Sequence, residues 1–225
     1  MRYYPICLDI RGRYCLVVGG GLVAERKVKG LLAGGAIVTV VSPQITEGLQ
    51  DLLAQGEISW SERGYQSGEL EGVFLVIAAT DETQVQEAVY NEAVKKNILV
   101  NVADVPEKCS FILPAQVRRG DLCIAVSTAG KSPALAKKLR QSLEKTYGNE
   151  YKVLVDLLGE IRPMVLERGL SQQENEAIFN TLLESDVLAL IRSEKWELLQ
   201  ALISDLCGCE LNVCDKLQAL NIAKG

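Results

Sequence analysis

The sequence has no histidine, few aromatic residues and no long apolar run. The absence of histidine from the 225-residue chain removes the commonest metal ligand and the commonest general base at neutral pH. Acid–base chemistry would therefore use a carboxylate, lysine, tyrosine or cysteine. Aromatic residues make up 5% and the net charge is −5, which disfavours a nucleic-acid partner. The longest apolar runs, such as Val73–Ala79, are too short for a membrane span or a signal peptide, so we expect a cytoplasmic protein without a membrane partner.

Cysteine is present seven times, and thiols in a cytosolic chain are mostly reduced. Four of the cysteines have apolar sequence neighbours, which predicts small core residues. They are Cys7, Cys15, Cys109 and Cys123. The remaining three, Cys207, Cys209 and Cys214, have two interpretations, a soft-metal site or local free thiols. Because only three thiolates gather there without a CxxC pair, we predict no metal-binding residue.

The first hundred residues alternate strand-like and helix-like segments. Continuous apolar runs suit strands buried on both faces, and Val85, Val89 and Ala93 recur as one face of a helix that Asp81 could cap. This rhythm predicts an α/β fold with a Rossmann-type parallel sheet covered on both faces. The predicted strands are Tyr14–Val18, Ala36–Val41, Ile58–Glu62, Val73–Ala79 and Ile98–Val102, with helices over Leu22–Leu32 and Ile45–Gln55.

After the fifth predicted strand, the regular alternation of strand-like and helix-like segments ends. Leu122–Ser127 is a clear strand without an obvious partner in the first domain, and Ser132-Pro133 begins a helix with serine as N-cap and proline at the first position. From Tyr151 onward the pattern is helical only. We therefore predict a Rossmann domain over 1–113, a small α+β segment over 114–148 and an all-helical C-terminal domain over 149–225.

Positive charge is concentrated in one segment of this acidic chain. Between Lys108 and Lys145 there are eight cationic and two anionic side chains, so the segment is +6 and the rest of the chain is −11. A solvated helix face and an attractor for an anionic ligand both explain this asymmetry.

The most specific motif is Val17-Val18-Gly19-Gly20-Gly21-Leu22-Val23-Ala24. It fits G-x-G-x-x-A directly after a predicted strand and at the start of a helix, the context that gives this motif meaning. In that context Gly19 allows the tight turn, Gly21 lets the backbone approach a pyrophosphate, and Ala24 lets helix and strand pack closely. The helix N-terminus then offers N–H groups to the phosphates. The motif predicts a dinucleotide site.

The acidic residue that usually follows about 20 positions later is missing. Ser42, followed by Pro43, stands near that position and could hydrogen-bond a ribose; no Arg or Lys lies nearby in sequence to pair a 2′-phosphate, so NAD is favoured over NADP. Gly130-Lys131-Ser132 looks like the end of a Walker A loop, but Ala125 stands where that pattern needs glycine. A capped helix start of this kind can still hold a carboxylate.

Several motifs, in order, resemble the precorrin-2 dehydrogenase family, which includes the N-terminal portion of sirohaem synthase. The resemblance covers residues 3–145. It is carried by Tyr4-Pro5, Val17-Val18-Gly19-Gly20-Gly21-Leu22-Val23-Ala24-Glu25-Arg26-Lys27, Asn101-Val102-Ala103-Asp104, Phe111-Ile112-Leu113-Pro114-Ala115, Ser127-Thr128-Ala129-Gly130-Lys131-Ser132-Pro133, Leu135-Ala136 and Leu139-Arg140.

The resemblance implies NAD-dependent oxidation of precorrin-2 to sirohydrochlorin in sirohaem biosynthesis. It also implies a homodimer whose interface lies largely in the segment 114–148. Two alternatives stay open: a dual dehydrogenase and ferrochelatase, and a non-catalytic dinucleotide-sensing module. Because the implied substrate is a tetrapyrrole with many carboxylates, the resemblance favours the ligand interpretation of the +6 segment.

These arguments assign the candidate site residues. We predict cofactor contacts at the glycine loop and at the ends of the neighbouring strands, and substrate contacts in the basic segment. The cofactor residues are Gly19, Gly20, Gly21, Leu22, Val23, Ala24, Ser42, Pro43, Thr80 and Asn101, and the substrate residues are Arg118, Arg119, Ser127, Thr128, Lys131 and Lys137.

Asp104 is the predicted general base. Dehydrogenation releases a proton as well as a hydride, and a carboxylate is the natural acceptor in a chain without histidine. Asp104 follows the strand Ile98–Val102, so it should lie at the carboxyl end of the sheet, where ligands of open α/β sheets bind, and it matches the acidic position of the family motif. The alternative is that Asp104 caps a turn before Pro106.

Overall fold

The structure is a computed structural model and describes residues 3–208, 211–213 and 215. The chain forms two compact units, Met1–Leu113 and Pro114–Gly225. The predicted subdivision of the second unit at residue 148 stays a prediction.

The first unit is a five-stranded parallel sheet with helices on both faces, which confirms the Rossmann-type prediction. Its strands are β1 Tyr14–Val18, β2 Ile37–Val41, β3 Ile58–Ser61, β4 Leu75–Ala78 and β5 Leu99–Val102, and its helices are α1 Leu22–Leu32, α2 Glu47–Ala54 and α3 Thr83–Lys95. The strand order is β3-β2-β1-β4-β5. Since side chains alternate along a strand, Val17 packs with α1 and α2 in one core, while Leu16 packs with α3 in the other.

The parallel register brings four strand ends to one edge of the sheet. Val18 of β1 lies beside Val41 of β2 and Ala78 of β4, and Ala78 lies beside Val102 of β5. The residues that follow these strands therefore share the edge where ligands of open α/β sheets bind.

Glu92 of α3 holds the irregular connection between β3 and β4. Its carboxylate accepts hydrogen bonds from the Tyr65 hydroxyl at 2.8 Å, from the Gly68 N–H at 2.9 Å and from the Leu70 N–H at 3.2 Å. Burial acts to raise the pKa of Glu92, but these hydrogen bonds and the charge of Lys96 outweigh it, so the net pKa is lowered. The predicted cap of α3 is wrong, because its N-cap is Glu82 and not Asp81.

The second unit begins with an antiparallel hairpin and continues as helices. Its elements are β6 Ala115–Arg119, β7 Leu122–Val126, α4 Pro133–Thr146, α5 Glu150–Leu166, α6 Gln172–Glu184, α7 Val187–Arg192 and α8 Trp196–Cys207. The side chains that join α5 to α8 in one core include Leu157, Leu182 and Leu199. The expectation that β7 has no partner in the first domain is confirmed for the described residues, since β7 pairs with β6 in a separate two-stranded sheet. The serine cap is confirmed, since Ser132 Oγ accepts from the Leu135 N–H at 3.2 Å.

The cysteine predictions have mixed outcomes. Core placement is confirmed for Cys15 and wrong for Cys7 and Cys123, which are exposed. Burial raises the pKa of the Cys15 thiol to about 11, which makes this thiol unreactive. Cys209 and Cys214 lie outside the described residues. Within the described part of the chain, no helix has the length and apolar character needed to cross a bilayer.

Candidate functional site

The loop between β1 and α1 contains three glycines with different surroundings. At Gly19, where φ is +120°, an added Cβ would overlap the carbonyl oxygen of Ala79. At Gly20 it would overlap the carbonyl oxygen of Gln44. At Gly21, where φ is −83°, an added Cβ would meet nothing within 4 Å. The fold therefore requires Gly19 and Gly20, whereas Gly21 borders open space that a ligand could occupy.

The N-terminus of α1 is open beside this space. Gly21 is the N-cap and supplies no side-chain hydrogen bond, and the first intrahelical bond runs from the Glu25 N–H to the Gly21 carbonyl. The N–H groups of Leu22, Val23 and Ala24 belong to the first turn, whose donors have no acceptor within a helix. Ala24 is fully buried, in agreement with its predicted packing role. This arrangement fits a pyrophosphate.

Thr46 is a site residue that the sequence analysis missed. Its N–H donates to the Gly20 carbonyl at 3.0 Å, and its hydroxyl donates to Glu25 Oε2 at 2.7 Å. The same hydroxyl accepts from the Leu49 N–H at 3.3 Å and caps α2. One residue thus fixes the glycine loop and two helices. A threonine before an apolar helical run is an N-cap signal, but the predicted helix Ile45–Gln55 placed Thr46 inside the helix.

Three predicted cofactor residues lie at the same edge as the glycine loop. Ser42 follows β2 and is buried, and its carbonyl accepts from Trp60 Nε1 at 2.9 Å. Pro43 beside it is exposed. Thr80 follows β4 and is half-buried, and its carbonyl accepts from Gln86 Nε2 at 2.7 Å. Their contacts with a cofactor stay predictions.

Asn101 lies in β5 and is buried. Its Nδ2 donates to the Phe111 carbonyl at 3.0 Å and to Cys109 Sγ at 3.5 Å. The amide therefore holds the segment that returns after β5, a structural role that the sequence did not indicate. Its predicted contact with a cofactor stays a prediction.

Asp104 follows β5 at the ligand edge in a left-handed conformation, with φ of +61°. Aspartate tolerates this conformation better than most residues. The turn is closed by a hydrogen bond from the Val105 N–H to the Val102 carbonyl at 3.2 Å. Asp104 is exposed, and in the described part of the chain its carboxylate accepts no hydrogen bond. The turn is thus held by its backbone, and the carboxylate stays available for chemistry.

Lys27 is a half-buried lysine of α1 that the sequence analysis did not discuss. It lies in the second turn of α1 and is half-buried. Burial lowers the pKa of Lys27 and the charge of Arg26 adds to this effect, while Asp104 and Cys109 act in the opposite direction. Lys27 is therefore close enough to Asp104 for their charges to interact.

The predicted substrate residues all belong to the second unit. In the loop before α4, Ser127 Oγ accepts from the Ala129 N–H at 3.1 Å and Thr128 Oγ1 accepts from the Ser132 N–H at 3.1 Å. Both hydroxyls stabilise the loop, in which Ala129 has φ of +50°. Their predicted substrate contacts stay predictions.

The four cationic residues among the predicted substrate residues differ in exposure and in their contacts within the protein. Arg118, Lys131 and Lys137 are exposed, and none of them forms an ion pair in the described part of the chain. Arg119 instead donates to the carbonyls of Arg118 at 2.9 Å and Glu144 at 3.1 Å. Its guanidinium joins β6 to the end of α4, so Arg119 has a structural role that its sequence position did not indicate.

Comparisons with known proteins agree with this geometry. A family model for NAD(P)-binding domains matches residues 6–115, and a model described as sirohaem biosynthesis protein central matches residues 119–146. The first model and the glycine loop together identify a nicotinamide dinucleotide as the cofactor.

Individual relatives extend the match. The siroheme synthase of Methylobacillus flagellatus is 42% identical over 193 residues, which is 84% of this chain and 41% of that protein. The siroheme synthase of Photorhabdus laumondii is 39% identical over 179 residues, 80% of this chain and 38% of that protein. The chain thus spans about two fifths of the length of these relatives. The solved structure of SirC, precorrin-2 dehydrogenase, matches with a TM-score of 0.71 and 27% identity, over 98% of this chain and 100% of that one.

The resemblance to the precorrin-2 dehydrogenase family is confirmed. The motifs that carry it include the glycine loop and the turn that bears Asp104, which the structure brings to one edge of the sheet.

Proposed function

We propose that this protein uses NAD to oxidise precorrin-2 to sirohydrochlorin in sirohaem biosynthesis. The observation that carries the proposal is the shared sheet edge of two features, the open glycine loop after β1 and the unbound carboxylate of Asp104 after β5. A dinucleotide site without a nearby proton acceptor would support binding alone. The names of the matched relatives, siroheme synthase and precorrin-2 dehydrogenase, support precorrin-2 as the substrate.

Different residues would bind the cofactor, accept the proton and hold the glycine loop in place. A bound nicotinamide dinucleotide would supply the hydride acceptor for the oxidation of the substrate. The first-turn N–H groups of α1 bind the pyrophosphate, and the missing side chain of Gly21 allows its close approach. Asp104 accepts the proton at its carboxylate, and its exposure lets that proton pass to water. Thr46 holds the loop in place through Gly20 and Glu25.

The cofactor is NAD rather than NADP. The residues after β2 offer Ser42 and Pro43 in place of a cation that could pair with a 2′-phosphate. The neighbouring strand β3 is followed by Arg63, whose guanidinium is paired with Glu69. A direct comparison of the dissociation constants for NAD and NADP tests this assignment, and tighter binding of NADP would contradict it.

The exposed cations of the second unit attract the carboxylates of the tetrapyrrole. Arg118, Lys131 and Lys137 lie in the segment of +6 charge within an acidic chain. Such an asymmetry raises the local concentration of an anionic ligand and weakens with salt.

The protein functions as a homodimer through the segment 114–148. The hairpin β6-β7 has an exposed face that includes Gln116, Arg118 and Cys123, and two-stranded sheets are marginally stable alone. On α4, Leu135 and Leu139 are 48% and 44% exposed and lie four residues apart, on one side of the helix. Pairing with a second copy would cover the strand edges and these leucines.

The experiment that tests the function is incubation of the purified protein with precorrin-2 and NAD. We expect one NADH for each sirohydrochlorin formed, both followed by absorbance. Adding Fe²⁺ to the product mixture tests the dual-activity alternative, which predicts sirohaem. Binding of NAD without formation of NADH would instead favour the dinucleotide-sensing module.

A further inference from the structure

We infer that Glu25 is a positioning residue for the cofactor, because its carboxylate keeps the N–H groups of the glycine loop directed at the pyrophosphate. This inference rests on the proposed function and deepens its cofactor site. Glu25 lies in α1, one residue after the G-x-G-x-x-A motif. It would act on the cofactor through the backbone of the loop.

A closed ring of hydrogen bonds surrounds the two glycines that precede α1. The Glu25 N–H donates to the Gly21 carbonyl at 3.0 Å. The Thr46 N–H donates to the Gly20 carbonyl, also at 3.0 Å. The Thr46 hydroxyl donates to Glu25 Oε2 at 2.7 Å and closes the ring. Both glycine carbonyls are thus held by two residues that are bonded to each other.

This ring sets the direction of two backbone donors. In a planar trans peptide the carbonyl and the N–H point in opposite directions. Since the Gly20 carbonyl points to Thr46, the N–H of Gly21 points away from Thr46. The Gly21 carbonyl points along α1, so the N–H of Leu22 points out of the helix N-terminus. In the described part of the chain neither N–H donates to a protein acceptor, and glycine by itself fixes no orientation. The anchored carbonyls therefore preorganise both donors for an anion.

The Glu25 carboxylate is itself held at the N-terminus of α2. An added Cβ at Gly48, in the first turn of α2, would overlap this carboxylate, so the two residues are in close contact. Lys29 pairs with the same carboxylate. Hydrogen bonds from Lys29 and Thr46 lower the pKa of Glu25, which keeps it ionised at neutral pH as an acceptor for the Thr46 hydroxyl. An anion is favourable at this end of a helix.

A carboxylate that only stabilises the fold is the competing interpretation, and Glu92 provides the matched control. Glu92 also accepts a hydrogen bond from a hydroxyl, that of Tyr65. It lies in the last turn of α3. Because α3 connects the parallel strands β4 and β5, it begins at the ligand edge and ends at the opposite edge of the sheet. A change at Glu92 thus affects stability far from the glycine loop.

The test compares Glu25→Ala, which removes the acceptor, with Glu25→Gln, whose amide oxygen can still accept from Thr46. Glu92→Gln is the destabilised control. NAD is titrated calorimetrically into each protein after its melting temperature has been measured. Thr46→Val and Thr46→Ser, which remove and keep the hydroxyl, form a second pair if Glu25→Ala does not fold.

We expect Glu25→Ala to bind NAD about tenfold more weakly and Glu25→Gln to stay within about threefold of the parent, because a hydrogen bond to a charged group contributes on that order. Glu92→Gln should melt below the parent and bind NAD normally. In the second pair, Thr46→Val should lose affinity and Thr46→Ser should keep it.

Parent-like NAD affinity in folded Glu25→Ala, equal losses in Glu25→Ala and Glu25→Gln, or an equal loss in Glu92→Gln would each overturn the inference. Equal affinities in the Thr46 pair, or a parent that does not bind NAD, would overturn it as well. The proposed function is judged separately, by NADH formation with precorrin-2. NAD binding without turnover would therefore remove the function and leave the role of Glu25 in place.

Discussion

At the scale of single residues, a substitution at Gly21 should impair cofactor binding without impairing folding. Gly21→Val has room for its side chain and a compatible φ, so it should melt near the parent temperature. The new side chain enters the space assigned to the pyrophosphate, so we expect NAD affinity to fall at least about tenfold by calorimetric titration. Gly20→Val is the contrasting variant, because its Cβ would overlap the Gln44 carbonyl and should impair folding itself. Parent-like NAD binding by folded Gly21→Val would place the cofactor elsewhere.

Asp104 gives the second prediction at this scale. Asn accepts the left-handed conformation at least as readily as Asp, so Asp104→Asn should preserve the turn, the melting temperature and NAD affinity. It cannot accept a proton, and turnover should fall by about 10²- to 10⁴-fold. Asp51→Asn, on the exposed side of α2, is the control and should turn over normally. Turnover by Asp104→Asn within a few-fold of the parent would remove its role as general base.

The sequence predicted the site residues whose signal is local. The glycine loop and Asp104 could be located because a strand end and a fixed spacing define them. Thr46 was not assigned, because its role depends on a hydrogen bond to Gly20, which belongs to another part of the chain. For Asn101 and Arg119 the sequence predicted ligand contacts but not their hydrogen bonds to backbone carbonyls. Those carbonyls become neighbours of the two side chains only in the folded chain.

At the scale of elements, Glu92 predicts how stability depends on pH. Its folded-state pKa is lowered from the ordinary value of 4.5, so ionised Glu92 stabilises the fold above that value, and the contribution is lost as pH falls through the lower folded pKa. We expect Glu92→Gln to be less stable than the parent near pH 7 in urea unfolding. The difference should shrink toward pH 3. A difference that is independent of pH would contradict this account of the β3-β4 connection.

Sequence periodicity predicted elements where burial is strong. Apolar runs located all five strands of the first sheet to within two residues at each end. The β6 strand was missed because only Val117 of its five residues is buried, so its pattern carries little hydrophobic signal. Cys7 and Cys123 were misplaced in the core for a related reason: apolar sequence neighbours do not specify on which face of a segment a thiol lies.

At the scale of the whole molecule, the proposed homodimer predicts a change in mass. The parent should be a dimer by light scattering at micromolar concentration. Leu139→Glu places a charge on the exposed side of α4 and should yield a folded monomer, because a buried unpaired charge opposes association. Leu198→Glu changes an exposed leucine of α8, outside the segment 114–148, and should remain a dimer. A monomeric parent would contradict the proposal.

The most direct test of the proposed activity is the stoichiometry of the reaction with precorrin-2. The purified protein is mixed with precorrin-2 and excess NAD without metal, and the absorbance spectra of sirohydrochlorin and NADH are recorded together over time. Our account predicts that both products appear at equal rates and in a ratio of one to one. NADH that does not appear while NAD still binds, or sirohydrochlorin that forms at the same rate without NAD, would contradict it.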